Sequence, residues 1–383
     1  MSVRRILTIG HSYVVRRNRE LAEAVAAAGQ GAWEVSIVAP SAFPGDLGPL
    51  TLQREPGEHC NVVPLPVQGA RWIHVMRYSR KLRDILSEPW DVVHCWEEPY
   101  IVAGWQVARA CAPRSALVYA TFQNITKRYP PPFNAIERAS LRRANGWIAF
   151  GRSVERALER RRGYADRPHT VIPFGVDTTR FAPDASARLV VRRVLQWQDD
   201  SVPVVGFVGR FVEGKGLPML VEALRALARR GVAWRALFVG GGPLEAGLRA
   251  FAQEQDGRVA VATGVAHDDV PRYLNAMDML CAPSQTTPAW REQFGRMIVE
   301  AFACGVPVVG SDSGEIPHVV GDAGIIVGER DEAGWTRAIE HLLSNADERV
   351  SLGQRGRARA EAEFSWRVVG ERHLDFFSRI VAQ

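Results

Sequence analysis

At 383 residues the chain exceeds one ordinary hydrophobic core and suits two domains. Its 46% hydrophobic and 23% charged residues exclude extensive disorder, and a net charge of +6 suits polyanionic partners (nucleotide phosphates, nucleic acid or an anionic membrane face) without choosing among them. Cys60, Cys95, Cys111, Cys281 and Cys304 are scattered and never form a Cys-x-x-Cys pair, which indicates neither a disulfide framework nor a zinc site and fits a reducing cytoplasm.

The opening "MSVRRILTIGHSY" has too short an apolar stretch for a secretory signal and reads as a first strand. No window approaches the roughly 18 apolar residues of a membrane-spanning helix, so the chain is predicted to be soluble or at most peripheral. Short apolar runs then alternate with helix-length segments: "RRILTIG" with "NRELAEAVAAAG", "WDVVHCW" with "YIVAGWQVARAC", "NGWIAFG" with "SVERALERR". That rhythm predicts parallel strands with crossover helices. From His169 to Asp184, prolines and glycines without a long helix predict a linker. The same grammar restarts at "PVVGFVGR" and runs through "GIIVG". The expected architecture is α/β, with two Rossmann-like doubly wound domains, residues 1–175 and 185–365, facing a central cleft. The last stretch, 366–383, spaces Trp366, Val369, His373, Phe376, Phe377 and Ile380 at helical intervals, an apolar stripe that can cross back to the first domain.

Three places carry candidate chemistry. In "DVVHCWEEPY", His94 ends a strand and could meet an acceptor, with Glu97 or Glu98 beside it; a structural histidine is an equal reading. "GFVGRFVEGKG" sets Arg210 and Lys215 on glycine-rich backbone just past a buried strand, as a diphosphate requires. "LFVGGGPLEAGL" lacks the Gly-x-Gly-x-x-Gly fingerprint, which disfavours a nicotinamide enzyme. In "REQFGRMIVEAFACGVPVV", Phe294-Gly295 should end a loop and Met297 to Cys304 should form a helix, whose first N–H groups make an anion site framed by Glu292 and Glu300.

Val208-Gly209-Arg210 with Lys215-Gly216, the Glu292 to Glu300 spacing around Phe294-Gly295, "EAFACGVPVVGSDSGEIPHVV" and "IPFGVDTTRFAP" together resemble the retaining GT-B glycosyltransferases of family 4. The resemblance implies a hexosyltransferase with an acceptor-binding first domain and a nucleotide-sugar-binding second domain. Arg210 and Lys215 would hold the donor diphosphate, Glu300 the ribose and Glu292 a hydroxyl of the transferred sugar. Backbone around Phe294, Gly295, Arg296 and Met297 would contact phosphate and sugar, the turn at Gly264-Val265 the base, and Gly10 the same phosphates from the other lobe. Many relatives carry a His after a Thr-x in the first lobe; here Gln123 occupies that position and cannot shuttle a proton.

No Asp-x-Asp pair occurs, so metal independence is expected. The segment "RWIHVMRYSRKLR" can steer the first lobe to anionic lipid, although a solvated helix face explains it too. The function implied is transfer of a hexose from a UDP- or GDP-sugar to a glycan, lipid-linked or small-molecule hydroxyl. A nucleotide-sugar epimerase and a silent nucleotide-sugar-binding protein are the rivals, and nucleic-acid binding is disfavoured because the positive charges accompany no recognition motif. Acceptor choice is expected in first-lobe loops such as "SAFPGDLGPLTLQREPGEHC".

Overall fold

The computed structural model describes residues 3–45, 48–54, 56–197 and 199–382. The chain forms two compact units, Met1–Gly175 with Trp366–Gln383, and Val176–Ser365.

Unit 1 is built on a seven-stranded sheet. Its strands are β1 (Arg4–Ile9), β2 (Trp33–Pro40), β3 (Asn61–Leu65), β4 (Val92–Cys95), β5 (Ala116–Thr121), β6 (Gly146–Ala149) and β7 (His169–Val171). They lie in the order β7-β6-β5-β4-β1-β2-β3 and every neighbouring pair is parallel. Strands β4, β5 and β6 are buried along their whole length, because helices cover both faces of such a sheet. The region expected as a linker therefore begins with an edge strand, since His169–Val171 pairs with β6. Within the loop expected to choose the acceptor, Ala42–Gly45 pairs antiparallel with Gly48–Thr51, while Asp46, Leu47 and Glu55 lie outside the described residues.

Helix α1 (Arg16–Ala28) follows the first strand of unit 1. The C-terminal helix, Trp366–Val381, packs on it: a Cβ on Gly370 would lie 2.3 Å from the Ala24 carbonyl oxygen, so the two backbones meet where only glycine fits. Trp366 donates from its indole to Glu20 at 2.8 Å, and Phe376 and Ile380 reach Gly146 of β6.

Unit 2 repeats the plan with β8 (Val204–Arg210), β9 (Arg235–Gly241), β10 (Val259–Ala262), β11 (Met279–Ala282), β12 (Val308–Ser311) and β13 (Gly324–Val327). The order is β10-β9-β8-β11-β12-β13, again parallel throughout. Helix α2 (Leu217–Arg229) buries Leu217, Leu220, Ala223, Leu224 and Leu227 at helical spacing, and helix α3 (Arg296–Ala303) buries seven of its eight residues. Among the described residues, no helix is long and apolar enough to cross a membrane.

Candidate active site

In both sheets the strand order reverses between the first strand of the unit and the fourth, and open α/β sheets bind ligands beyond the carboxyl ends of the strands at that reversal. In unit 2 the reversal lies between β8 and β11. β8 ends at Gly209 and exposed Arg210. The chain turns through Glu213–Lys215 to Gly216, which is left-handed at φ 71°. A Cβ there would sit 1.8 Å from the Pro283 carbonyl oxygen, so glycine alone lets this turn close onto the end of β11.

That closure brings Lys215 to Glu292. The ammonium is ion-paired with the carboxylate and lies 5.0 Å over the Trp290 ring. The Ser284 hydroxyl, just beyond β11, donates to the same Glu292 oxygen at 2.8 Å. The two charged side chains retain only 13% and 8% exposure, so each depends on the other for compensation. The Glu292 loop is held from behind by the segment after β12. Glu315 donates its N–H to the Glu292 carbonyl at 3.1 Å, and a Cβ on left-handed Gly314 would come within 2.0 Å of that oxygen. The run Ser313-Gly314-Glu315 thus has a packing reason that its sequence did not disclose.

Phe294 is buried, edge-on to Phe364 at 6.0 Å. Gly295, at φ 82° and ψ 60°, is the N-cap of α3, and no side chain caps this helix. The helix begins at Arg296, with Met297 second, one residue earlier than the sequence predicts, because left-handed Gly295 is where the backbone turns into it. Its first N–H groups carry the partial positive charge of a helix start. Glu300 is buried in the second turn, 3.8 Å from the His267 ring. His267 opens the short turn after Gly264 and Val265, of which Gly264 is left-handed and exposed and Val265 half-buried.

Gly10, His94 and Gln123 belong to unit 1. Gly10 is extended, at φ −170°, and its missing side chain admits Trp96, whose Cβ would be 2.8 Å from a Cβ at position 10. His94 is enclosed in the core: its Nδ1 lies 3.2 Å from the Thr8 hydroxyl and its ring packs against His373 and Phe377. Burial, reinforced by His373, holds its pKa well below the usual imidazole range. A ring walled in this way fits the structural reading and leaves an acceptor no approach. Gln123 is buried in a polar network: its amide N–H donates to Glu98 at 2.8 Å, and its oxygen accepts from the Tyr129 hydroxyl at 2.8 Å and from Arg161 at 3.0 Å. Glu98 also accepts from the Thr121 hydroxyl and the Phe122 N–H; burial raises its pKa against the pull of these donors.

The structure therefore joins Lys215, Glu292 and the start of α3 at one end of the unit 2 sheet, and adds Ser284, Trp290 and His267. None of those three stands in a motif; the position of Ser284 just beyond a strand end was the one available signal. Among the described residues, no group of three or more His, Cys, Asp or Glu side chains could hold a metal ion.

A family model described as Glycosyltransferase Family 4 matches residues 14–180, and one described as Glycosyl transferases group 1 matches residues 202–345, so that together they take in most of both units. The chain belongs to glycosyltransferase family 4. Among relatives of this family 4 chain is the GDP-mannose-dependent alpha-(1-6)-phosphatidylinositol monomannoside mannosyltransferase of Mycobacterium tuberculosis, 33% identical over 54% of this chain and 54% of that protein. Another is the D-inositol 3-phosphate glycosyltransferase of Salinispora tropica, 33% identical over 56% of this chain and 46% of that protein. The chain thus spans about half the length of the curated relatives it matches. The sucrose-phosphate synthase of Thermosynechococcus elongatus shares the fold at a TM-score of 0.74 and 23% identity, covering 99% of each chain. HepE of Anabaena, solved with UDP-glucose, shares it at 0.74 and 19%, over 98% of this chain and 99% of that one. The fold is GT-B, with two Rossmann-like parallel-sheet domains.

Proposed function

We propose that this family 4 chain is a retaining hexosyltransferase that moves a sugar from a GDP- or UDP-linked donor to a hydroxyl of a glycan, lipid-linked or small-molecule acceptor. Unit 2 takes the donor and unit 1 the acceptor. The observation that carries this reading is the Lys215–Glu292 pair beside the uncapped start of α3, at the strand reversal of unit 2. An arriving diphosphate offers Lys215 an anionic partner in place of Glu292. The carboxylate is then released to accept a hydrogen bond from a hydroxyl of the bound sugar. Arg210 adds a second cation, the backbone from Phe294 to Met297 faces phosphate and sugar, Glu300 takes the ribose, and Val265 meets the base.

Breaking the bond between the anomeric carbon and the diphosphate oxygen leaves negative charge on the departing nucleotide. Cations and helix N–H groups fixed beforehand stabilise that charge without reorganisation. The family assigns retention to attack on the face the leaving group departs, so Glu292 positions the sugar and is no nucleophile, unlike the second carboxylate of retaining hydrolases. The GDP-mannose dependence named for the mycobacterial relative makes GDP-mannose the first donor to try. Exposed Trp72, 75% accessible within the basic segment 71–83, supports a lipid-linked acceptor and peripheral contact with an anionic membrane.

The test incubates the protein with GDP-mannose or UDP-glucose and a panel of glycan, lipid and inositol-phosphate acceptors. Nucleotide release and the anomeric configuration of the product are read together. A product inverted at the anomeric carbon refutes retention, and failure of both GDP and UDP to bind refutes the donor site.

A further inference from the structure

Lysine is rare in this chain: of 48 lysine and arginine residues only Lys81, Lys127 and Lys215 are lysines, so Lys215 is the one lysine in the span of unit 2, Val176–Ser365. Its ammonium meets two partners of different kinds, the Glu292 carboxylate and the face of Trp290, 5.0 Å from the ring centroid. A carboxylate and an arriving diphosphate compete for the ammonium as anions, whereas an indole face attracts the charge through its quadrupole without being a rival anion. The ring can therefore keep its contact while the anion changes.

Trp290 is brought there by a braced loop. Beyond β11, Gln285 donates its N–H to the Gly214 carbonyl at 2.9 Å, and Thr286 donates its N–H to the Glu329 carboxylate at 2.7 Å. The chain then turns back on itself: Thr287 donates its N–H to the Trp290 carbonyl at 2.8 Å, and the Trp290 N–H returns to the Thr287 hydroxyl at 3.0 Å. The tip, Thr287 to Ala289, is exposed, but Trp290 is half-buried and its ring lies over the turn that carries Lys215, where a Cβ on Gly214 would be 3.5 Å from it. That spacing is ordinary contact, so packing on Gly214 alone would be met by any apolar side chain of suitable size. The aromatic face is needed only for the cation.

We propose that Trp290 is a positioning residue for the donor, holding the Lys215 ammonium in place while that group exchanges Glu292 for the diphosphate. This rests on the donor reading above and concerns unit 2 alone. A lysine stem is long and flexible, and an ammonium released from its carboxylate would otherwise spread over many rotamers before it met phosphate. Lysine suits the exchange better than arginine, whose planar fork would grip the carboxylate through paired hydrogen bonds. In this role Trp290 acts through Lys215 and needs no contact of its own with sugar or phosphate.

The experiment titrates the full chain with GDP and with UDP by calorimetry, comparing wild type, Trp290→Phe, Trp290→Leu, Lys215→Met and the variant carrying both Trp290→Leu and Lys215→Met. In parallel, protein labelled isotopically at lysine is followed by NMR: three side-chain signals are expected, one per lysine, and Lys215→Met identifies the one at issue. Trp290→Leu should weaken nucleotide binding by about threefold to thirtyfold, the range of a cation–π contact from exposed to desolvated. Trp290→Phe, which keeps a face, should recover most of that loss, and in the Lys215→Met background Trp290→Leu should change affinity by less than about twofold. The Lys215 signal of wild type should be shifted upfield by the indole ring and should stay so with nucleotide bound. Equal losses from Trp290→Leu in both backgrounds, or failure of Trp290→Phe to do better than Trp290→Leu, would mean a merely structural Trp290 and overturn the proposal. So would a Lys215 signal that loses the ring shift when nucleotide binds, a result that needs no Trp290 variant to fold. Wild type that binds neither GDP nor UDP refutes the donor reading and the inference with it; wild type that binds, with losses that simply add, refutes the inference alone.

Discussion

Lys215 and Glu292 are 77 positions apart, and their contact links two motifs that local spacing treats separately. If Lys215 exchanges Glu292 for phosphate, removing either member has different consequences. Lys215→Met should weaken GDP or UDP binding by about tenfold to a hundredfold, the worth of a hydrogen bond to a charged group. It should also lower stability by about 2 kcal/mol, because the buried Glu292 charge loses its ion-pair partner. Glu292→Leu should leave nucleotide affinity within about threefold and lower turnover. The double variant should regain stability without regaining affinity, since an apolar pair can replace a buried ion pair in packing. Calorimetric titration and urea unfolding of the three variants read both quantities; a double variant that binds nucleotide as wild type does would remove Lys215 from the donor site. Residues of this kind were legible in part. Arg210, Lys215, Glu292 and Glu300 stand in spaced motifs, whereas His267 and Ser284 are assembled by strand ends that meet only in the folded sheet.

At the level of elements, the alternation of apolar runs with helix-length segments was readable because parallel strands buried on both faces carry their own signature. What stayed hidden was long-range. The edge strand His169–Val171 has no burial pattern of its own, since all three residues are half-buried, and it exists through pairing with β6. The position of the C-terminal helix likewise depends on partners more than two hundred residues away. That docking buries two imidazoles together, His94 and His373, with ring centroids 5.6 Å apart, and the Nε2 of each is buried without a hydrogen-bond partner. Burial lowers the pKa of His373 to about 4 and that of His94 well below 6.5. The unfolded chain therefore binds protons at a higher pH than the native one. Stability from these rings is complete above about pH 6.5 and is lost as pH falls toward the folded values. For His373 alone the loss is about 3 kcal/mol between pH 7.5 and pH 4. Urea unfolding of unit 1 at several pH values should show that decline, and His373→Leu should flatten it; an undiminished pH dependence in the variant would mean that other groups carry it.

The whole molecule is two units of unequal continuity. Unit 2 is one unbroken stretch, Val176–Ser365, while unit 1 needs residues from both ends of the sequence. The chain passes between them twice; at the unit 2 ends of these crossings Val176 donates to the Phe364 carbonyl at 2.7 Å, and at the unit 1 ends a Cβ on Gly175 would lie 2.1 Å from the Trp366 ring. The helix beyond Trp366 buries Val369, Leu374, Phe376, Phe377 and Ile380 in unit 1. At about 1.5–3 kcal/mol for each such side chain, those contacts together are comparable with the roughly 5–15 kcal/mol by which a domain is stable. Truncation after Ser365 should therefore unfold unit 1 and spare unit 2. Calorimetry of the full chain with GDP should raise one transition, by about 2.7 kcal/mol at a hundredfold excess over Kd, and the truncated chain should retain that ligand-sensitive transition while losing the other. The retained transition would assign nucleotide binding to unit 2 alone. If truncation abolishes the GDP response while unit 2 still melts cooperatively, the nucleotide site draws on unit 1, and the division of donor and acceptor between the units must be redrawn.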